Sequence, residues 1–246
     1  MSINEISLID VVKKQLKLKF LSHHSIWLSL VGIQLFGILL SAVATSSGSS
    51  SSGDVYTTSH VYSSSFLLIM TYIWIVSASV YLALESSNRI DYTFVTTRVS
   101  QFVSNIIFLI FIAAIGAFTA YFASSLIPLV QRLFVNGIIL NMSFTFVEHI
   151  MNITGTFGYL LLFASLTYLV VVLFQFNRFI PLGFLVLYGL VNLLLAKIGA
   201  NSLIIPLYNF YEGESSLSLF MLKAIGLSTI LLAIAWFVNR SKEVRY

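Results

Sequence analysis

The chain has 246 residues, of which 58% are hydrophobic and only 9% charged, with a formal net charge of +4 and no cysteine. Water-soluble domains carry about 25% charged residues, so this composition excludes a soluble fold and implies one compact membrane-embedded bundle. The absent cysteines exclude disulfides, thiolate metal sites and cysteine nucleophiles.

The first element is predicted over residues 6–22 as an amphipathic surface helix. At the helical period Ile9, Val12, Leu16 and Phe20 share one face, while Asp10, Lys14 and Lys17 lie away from it. Lys13 and Lys19 border the apolar face and Leu18 lies opposite, so the amphipathicity is partial. The expected position is flat on the inner leaflet, with the lysines toward anionic headgroups.

Six stretches then have the length and polarity of transmembrane helices: residues 25–45, 61–84, 102–126, 157–176, 180–203 and 217–238. Lysines and arginines orient them. With both termini cytoplasmic, Lys13, Lys14, Lys17, Lys19, Arg89, Arg98, Arg178, Arg240, Lys242 and Arg245 are inside, ten of the thirteen basic residues. Lys197 and Lys223 fall near outer helix ends, where long stems can snorkel. The fold class expected is therefore an all-α polytopic membrane protein, a single domain over residues 1–246.

Two outer segments stand apart. SSGSSSSGD, residues 46–54, has the composition of a flexible linker. Residues 127–155 are apolar at their centre, but Arg132, Asn136, Asn141, Glu148 and His149 interrupt them. A span there would turn the basic tail outward, so the expectation is an outer loop with extended helix ends, or an interfacial helix.

Chemical signatures are sparse. The ionisable residues expected within spans are Lys197 and Lys223, neither at mid-membrane, so no titrating group is placed for proton-coupled transport. Adjacent Glu148 and His149 make poor chelating geometry, and no HExxH spacing occurs. The amides Gln34, Asn105, Gln175 and Asn192 are expected to hydrogen-bond neighbouring helices. No GxxxxGK[ST] loop is present, which excludes ATP binding by that route.

The charged stretch ALESSNRIDYTFVTTRVSQFVSN joins the second and third spans on the inner side. The fourteen residues from Glu85 to Arg98 exceed what a tight turn needs and suggest a short helix. On it Ile90 and Phe94 share a face with Val95 nearby, ringed by Arg89, Asp91 and Arg98. That is the pattern of a docking element, although an interfacial helix lying on lipid has the same pattern.

Glu85 at the end of the second span, the polar run after it and the turn Thr97-Arg98-Val99-Ser100 resemble the transmembrane subunits of ABC exporters of the ABC-2 permease type. The likeness covers nearly the full length: basic surface helix, six spans, charged inner loop, and the outer segment LIIPLYNFYEGESSL before the last span. It departs where family members carry a proline in the turn and a lysine near Asn105.

The resemblance implies a permease subunit without its own ATPase motif, not an enzyme, moving an amphipathic cargo such as a peptide toxin, antimicrobial peptide or lipid-like molecule. Residues 85–100 become a cytoplasmic coupling loop, with Arg89, Ile90, Asp91, Tyr92, Phe94 and Val95 docking on a separate cytoplasmic ABC ATPase and Glu85 and Arg98 at the ends. That ATPase holds the ATP and magnesium, so this chain binds no cofactor, metal or nucleic acid itself. Residues 6–22, with Ile9, Val12, Leu16 and Phe20, become an elbow helix. Residues 203–217 become an extracellular re-entrant gate, with Pro206, Tyr208, Phe210 and Tyr211 at an interface and Glu212 or Glu214 pairing with Lys223. An aromatic belt explains the same aromatic residues. A second permease subunit, identical or homologous, completes the transporter in lipid, in the plasma membrane of a bacterium of Gram-positive type. The alternative is a non-transporting membrane scaffold, or a bacteriocin-immunity or sensor protein.

Overall fold

The structure is a computed structural model that describes residues 8–43, 46–52, 55–61, 63–84, 98–134, 145–197 and 216–240. Among the described residues the elements in chain order are α1 (Leu8–Ser22), α2 (His24–Val43), β1 (Ser46–Ser52), β2 (Val55–Val61) and α3 (Ser65–Ala83). They continue with α4 (Arg98–Phe134), α5 (Phe146–Phe176), α6 (Phe179–Lys197) and α7 (Leu217–Arg240).

Five helices, α2, α3, α4, α5 and α7, are long and apolar enough to cross a membrane. The apolar stretch of α6 is shorter, Phe179–Leu195. Exposed leucines such as Leu28, Leu35 and Leu39 along α2 suit a lipid surround, where apolar side chains need no burial in protein.

Over residues 46–52 the expected linker is instead one arm of a hairpin. β1 and β2 pair antiparallel from Ser46↔Val61 to Ser52↔Val55. The β-branched and aromatic residues of VYTTSHV favour an extended chain. Serine composition alone conceals this, because the partner strand supplies the signal. The helix after it starts at Ser65, later than the span expected from residue 61.

The alternatives for residues 127–155 resolve toward extended helix ends over the described residues. α4 has 37 residues and continues through Pro128. At roughly 1.5 Å per residue it is about 55 Å long, well beyond the roughly 30 Å of a bilayer's hydrocarbon. α5 rises to meet it. Its first turn is closed by Glu148, whose Oε2 accepts a hydrogen bond from the Thr145 N–H at 2.8 Å. The next residue, His149, joins its Nδ1 to the Tyr121 hydroxyl on α4. Glu148 and His149 therefore serve helix capping and helix pairing, two separate structural tasks.

From α2 to α5 successive helices alternate in direction. Ser41 Oγ accepts from the Leu67 N–H at 3.2 Å, and Trp74 Nε1 donates to the Ile26 carbonyl at 3.2 Å, so α2 and α3 are antiparallel. Gln34 Nε2 donates to Thr119 Oγ1 at 3.0 Å and Gln131 Nε2 to the Ser41 carbonyl at 3.5 Å, so α2 and α4 are parallel. Asn105 meets Tyr168 and Tyr121 meets His149, so α4 and α5 are antiparallel. The core forms where Ile112, Ala113, Ala117 and Ala120 of α4 are fully buried. Small residues there let backbones approach, the main source of helix association where lipid removes the hydrophobic drive.

Gly116 shows how tight this packing is. A Cβ at that position would lie 2.9 Å from Trp74 Cζ3 and 3.3 Å from Leu160 Cδ1. The Trp74 ring is held from its other side, since Nε1 also donates to Ser29 Oγ at 3.2 Å. Gly116→Ala gains about 1 kcal/mol of helix propensity but meets a ring that has no room to swing. The expected outcome is a net loss, read as a thermal midpoint a few degrees lower in detergent; a rise would mean that the ring yields.

Candidate functional site: a polar cluster at one end of the bundle

α1 buries a different face from the one its apolar pattern suggests. Val12, Gln15 and Lys19 are its buried residues, continued by the buried His23 just after its end, while Ile9 is 64% exposed. Leu16 and Phe20 are half-buried against the main core. The buried face is turned by about 60° from the expected one at 3.6 residues per turn. The expectation that Lys19 reaches toward headgroups is therefore corrected: its side chain is only 2% exposed.

The reason lies on α4. The Lys19 ammonium donates to Ser104 Oγ at 2.7 Å and to Asn105 Oδ1. Ser104 Oγ in turn donates to the Gln101 carbonyl at 2.8 Å. Asn105 passes the network onward, its Nδ2 donating to the Tyr168 hydroxyl on α5 at 3.2 Å. An unaccompanied ammonium inside an apolar bundle is costly, whereas hydrogen bonds from a charged donor are about twice as strong as neutral ones. Local spacing assembles both halves. Gln15, Lys19 and, just past the end of α1, His23 recur at four-residue steps, and Gln101, Ser104 and Asn105 form one stripe on α4.

A cavity of about 20 Å³ lies beside this network, bounded by Ala83, Gln101, Phe102, Asn105, Tyr168, Val172, Gln175 and Asn239. These residues come from α3, α4, α5 and α7. Gln175 Nε2 donates to the Ala83 carbonyl at 2.7 Å, tying the ends of α5 and α3. Gln101 is 7% exposed, and its Nε2 has no hydrogen-bond partner. Gln15 is buried as well, with neither amide atom bonded. Nearby, an apolar groove of about 430 Å³ runs between α4 and α7, lined by Val103, Ile106, Leu232 and Trp236 among others.

The intramembrane amides Gln34, Asn105 and Gln175 bond across helices, as expected. Asn192 donates to the Tyr188 carbonyl of its own helix at 2.9 Å. Most of the other expected site residues fall outside the described residues. Glu85, Arg89, Ile90, Asp91, Tyr92, Phe94 and Val95 lie outside the described residues, and Arg98 opens α4. Pro206, Tyr208, Phe210, Tyr211, Glu212 and Glu214 also lie outside them, while Lys223 stands half-buried in α7.

Sequence reasoning missed Lys19, Gln101 and Tyr168 as members of one cluster. The polar stripes on residues 15–23 and 101–105 were the available signal.

The fold and this cluster define a multi-pass helical membrane protein whose N-terminal helix is fastened into the bundle. No protein-family model, curated protein or solved structure matches the chain.

Proposed function

We propose that this chain is the transmembrane permease subunit of an ATP-driven ABC exporter, powered by a cytoplasmic ATPase that docks on residues 85–100. The observation that carries the reading is the fastening of α1 to the first turns of α4 through Lys19, Ser104 and Asn105. A push delivered to the segment before α4 then reaches the elbow helix and the bundle together. That is the mechanical arrangement a coupling loop needs.

A six-span topology with both termini cytoplasmic also has support. α5 and α7 run parallel: Gly158 faces Phe220 near their starts, and Gln175 and Asn239 share a cavity near their ends. The chain between them has to return across the bundle once, and α6 is the apolar helix available for it. On this reading the polar cluster lies at the inner face. The 430 Å³ apolar groove between α4 and α7 favours an amphipathic cargo, a peptide or a lipid-like molecule, over a small ion. A second permease subunit completes the pathway in a bacterial plasma membrane.

Purifying the tagged chain in mild detergent from its own host tests this. The expected result is co-purification of a nucleotide-binding subunit with ATP hydrolysis. Asp91→Ala combined with Phe94→Ala is expected to lower the recovered hydrolysis roughly tenfold or more, as loss of a docking anchor does. Recovery of the folded chain with partners lacking ATPase activity would replace the exporter with the scaffold or immunity reading.

A further inference from the structure

We propose that the small cavity among Gln101, Asn105, Tyr168, Gln175 and Asn239 is a binding site for one water molecule, which joins α4, α5 and α7 at one end of the bundle. The inference stands on the cavity and its lining, independently of the exporter reading.

Size selects the ligand first. The cavity is about 20 Å³, and a single water needs roughly 10–15 Å³ on that measure. A ligand of several heavy atoms is excluded. A cation is disfavoured because the Lys19 ammonium is bonded to the far side of Asn105.

Chemistry selects it second. Dry cavities are walled by apolar groups, whereas a buried water needs two to four polar partners. Here amide and phenol side chains supply them. The Gln101 side chain is more than nine-tenths buried and lines the cavity, and its Nε2 donates to nothing. A buried donor left unbonded is destabilising, and natural structures keep few of them. A water accepts from Gln101 Nε2 and offers its two hydrogens to oxygens of Tyr168 and Asn239. Because a bridging water reorients at little cost, the joint keeps its bonds through small relative shifts of the three helices. Direct side-chain contacts at the same place would lock them.

The sign of one substitution separates a wet site from a dry one. Gln101→Met keeps the length and volume of the side chain and removes its amide. If the cavity is dry, the change deletes an unsatisfied donor and raises the thermal midpoint of the purified protein. If water is bound, it deletes one of the water's partners, and the midpoint falls by roughly 2–5 °C for a chain of this size.

A second measurement needs no variant. In hydroxyl-radical labelling of the wild-type protein in ¹⁸O-water, a cavity water makes Tyr168 a target despite its burial at 4% exposure. Tyr168 is expected to gain label several times faster than the fully buried Phe108. A raised or unchanged midpoint for Gln101→Met, or Tyr168 labelling no faster than Phe108, overturns the proposal.

Discussion

Replacing Asn105 with leucine is expected to destabilise the protein by about 2–3 kcal/mol, the scale of hydrogen bonds to a charged group lost in a buried site. That corresponds to a thermal midpoint lower by roughly 5–10 °C. The leucine removes the carbonyl that accepts from the Lys19 ammonium and the amide that donates to Tyr168. The Lys19 ammonium, on a residue 2% exposed, keeps its bond to Ser104 Oγ and loses the one to Asn105. A buried charge deprived of an acceptor costs more than no charge at all.

The Lys19→Met/Asn105→Leu double variant is therefore expected to recover most of the loss, ending within about 1 kcal/mol of wild type. A double-mutant cycle by thermal or denaturant unfolding in detergent measures this. If the double variant is as unstable as the sum of the singles, Lys19 and Asn105 are independent. The account of α1 as fastened into the bundle by this pair would then be wrong.

Gly158→Val is expected to be comparably damaging, about 2–4 kcal/mol, at and above the usual cost of overpacking. Among the described residues α5 and α7 pack extensively against each other. At their crossing a Cβ on residue 158 would lie 2.7 Å from Phe220 Cε1 and 3.1 Å from the Met221 sulfur. Phe220 is buried and its ring centre lies 4.8 Å from that of Tyr159, so it has little room to turn away. Valine adds two further methyls to this collision. Between membrane helices close contact supplies most of the attraction, so prying α5 from α7 sacrifices packing along both.

Gly155→Val one turn earlier is the control, because nothing lies within 4 Å of a Cβ there. The Gly158 substitution is expected to lower the midpoint sharply and the Gly155 substitution hardly at all. Equal effects would indicate that glycine matters on α5 for backbone reasons, and that the close approach to Phe220 contributes nothing.

The helices themselves were largely legible. Long apolar runs announce membrane helices because unpaired backbone groups are intolerable in lipid. The expected segments at 25–45, 102–126 and 217–238 therefore coincide with α2, the middle of α4 and α7. The bonding of Gln34, Asn105 and Gln175 across helices was legible for the same reason. Helix ends outside the lipid were less so. The interrupting Arg132, Glu148 and His149 left extended helix ends and an interfacial helix both open, and they occupy helices that project beyond a bilayer's thickness, where polar residues are at home. The hairpin over residues 46–61 was illegible from a run of serines, because a strand's identity depends on the strand it pairs with.

By itself, then, the sequence determined that this is a helical membrane protein, where its apolar helices run, and that its interior amides look for partners. Those properties follow from hydropathy and local spacing, which each segment carries alone. Only the tertiary structure decided that Lys19 points inward, that Gln101, Tyr168 and Gln175 meet around one cavity, and which glycines sit against rings. Lys19 and Ser104 are 85 residues apart in the chain. A lysine's preference for headgroup or interior is set by which acceptors the fold brings within hydrogen-bond reach.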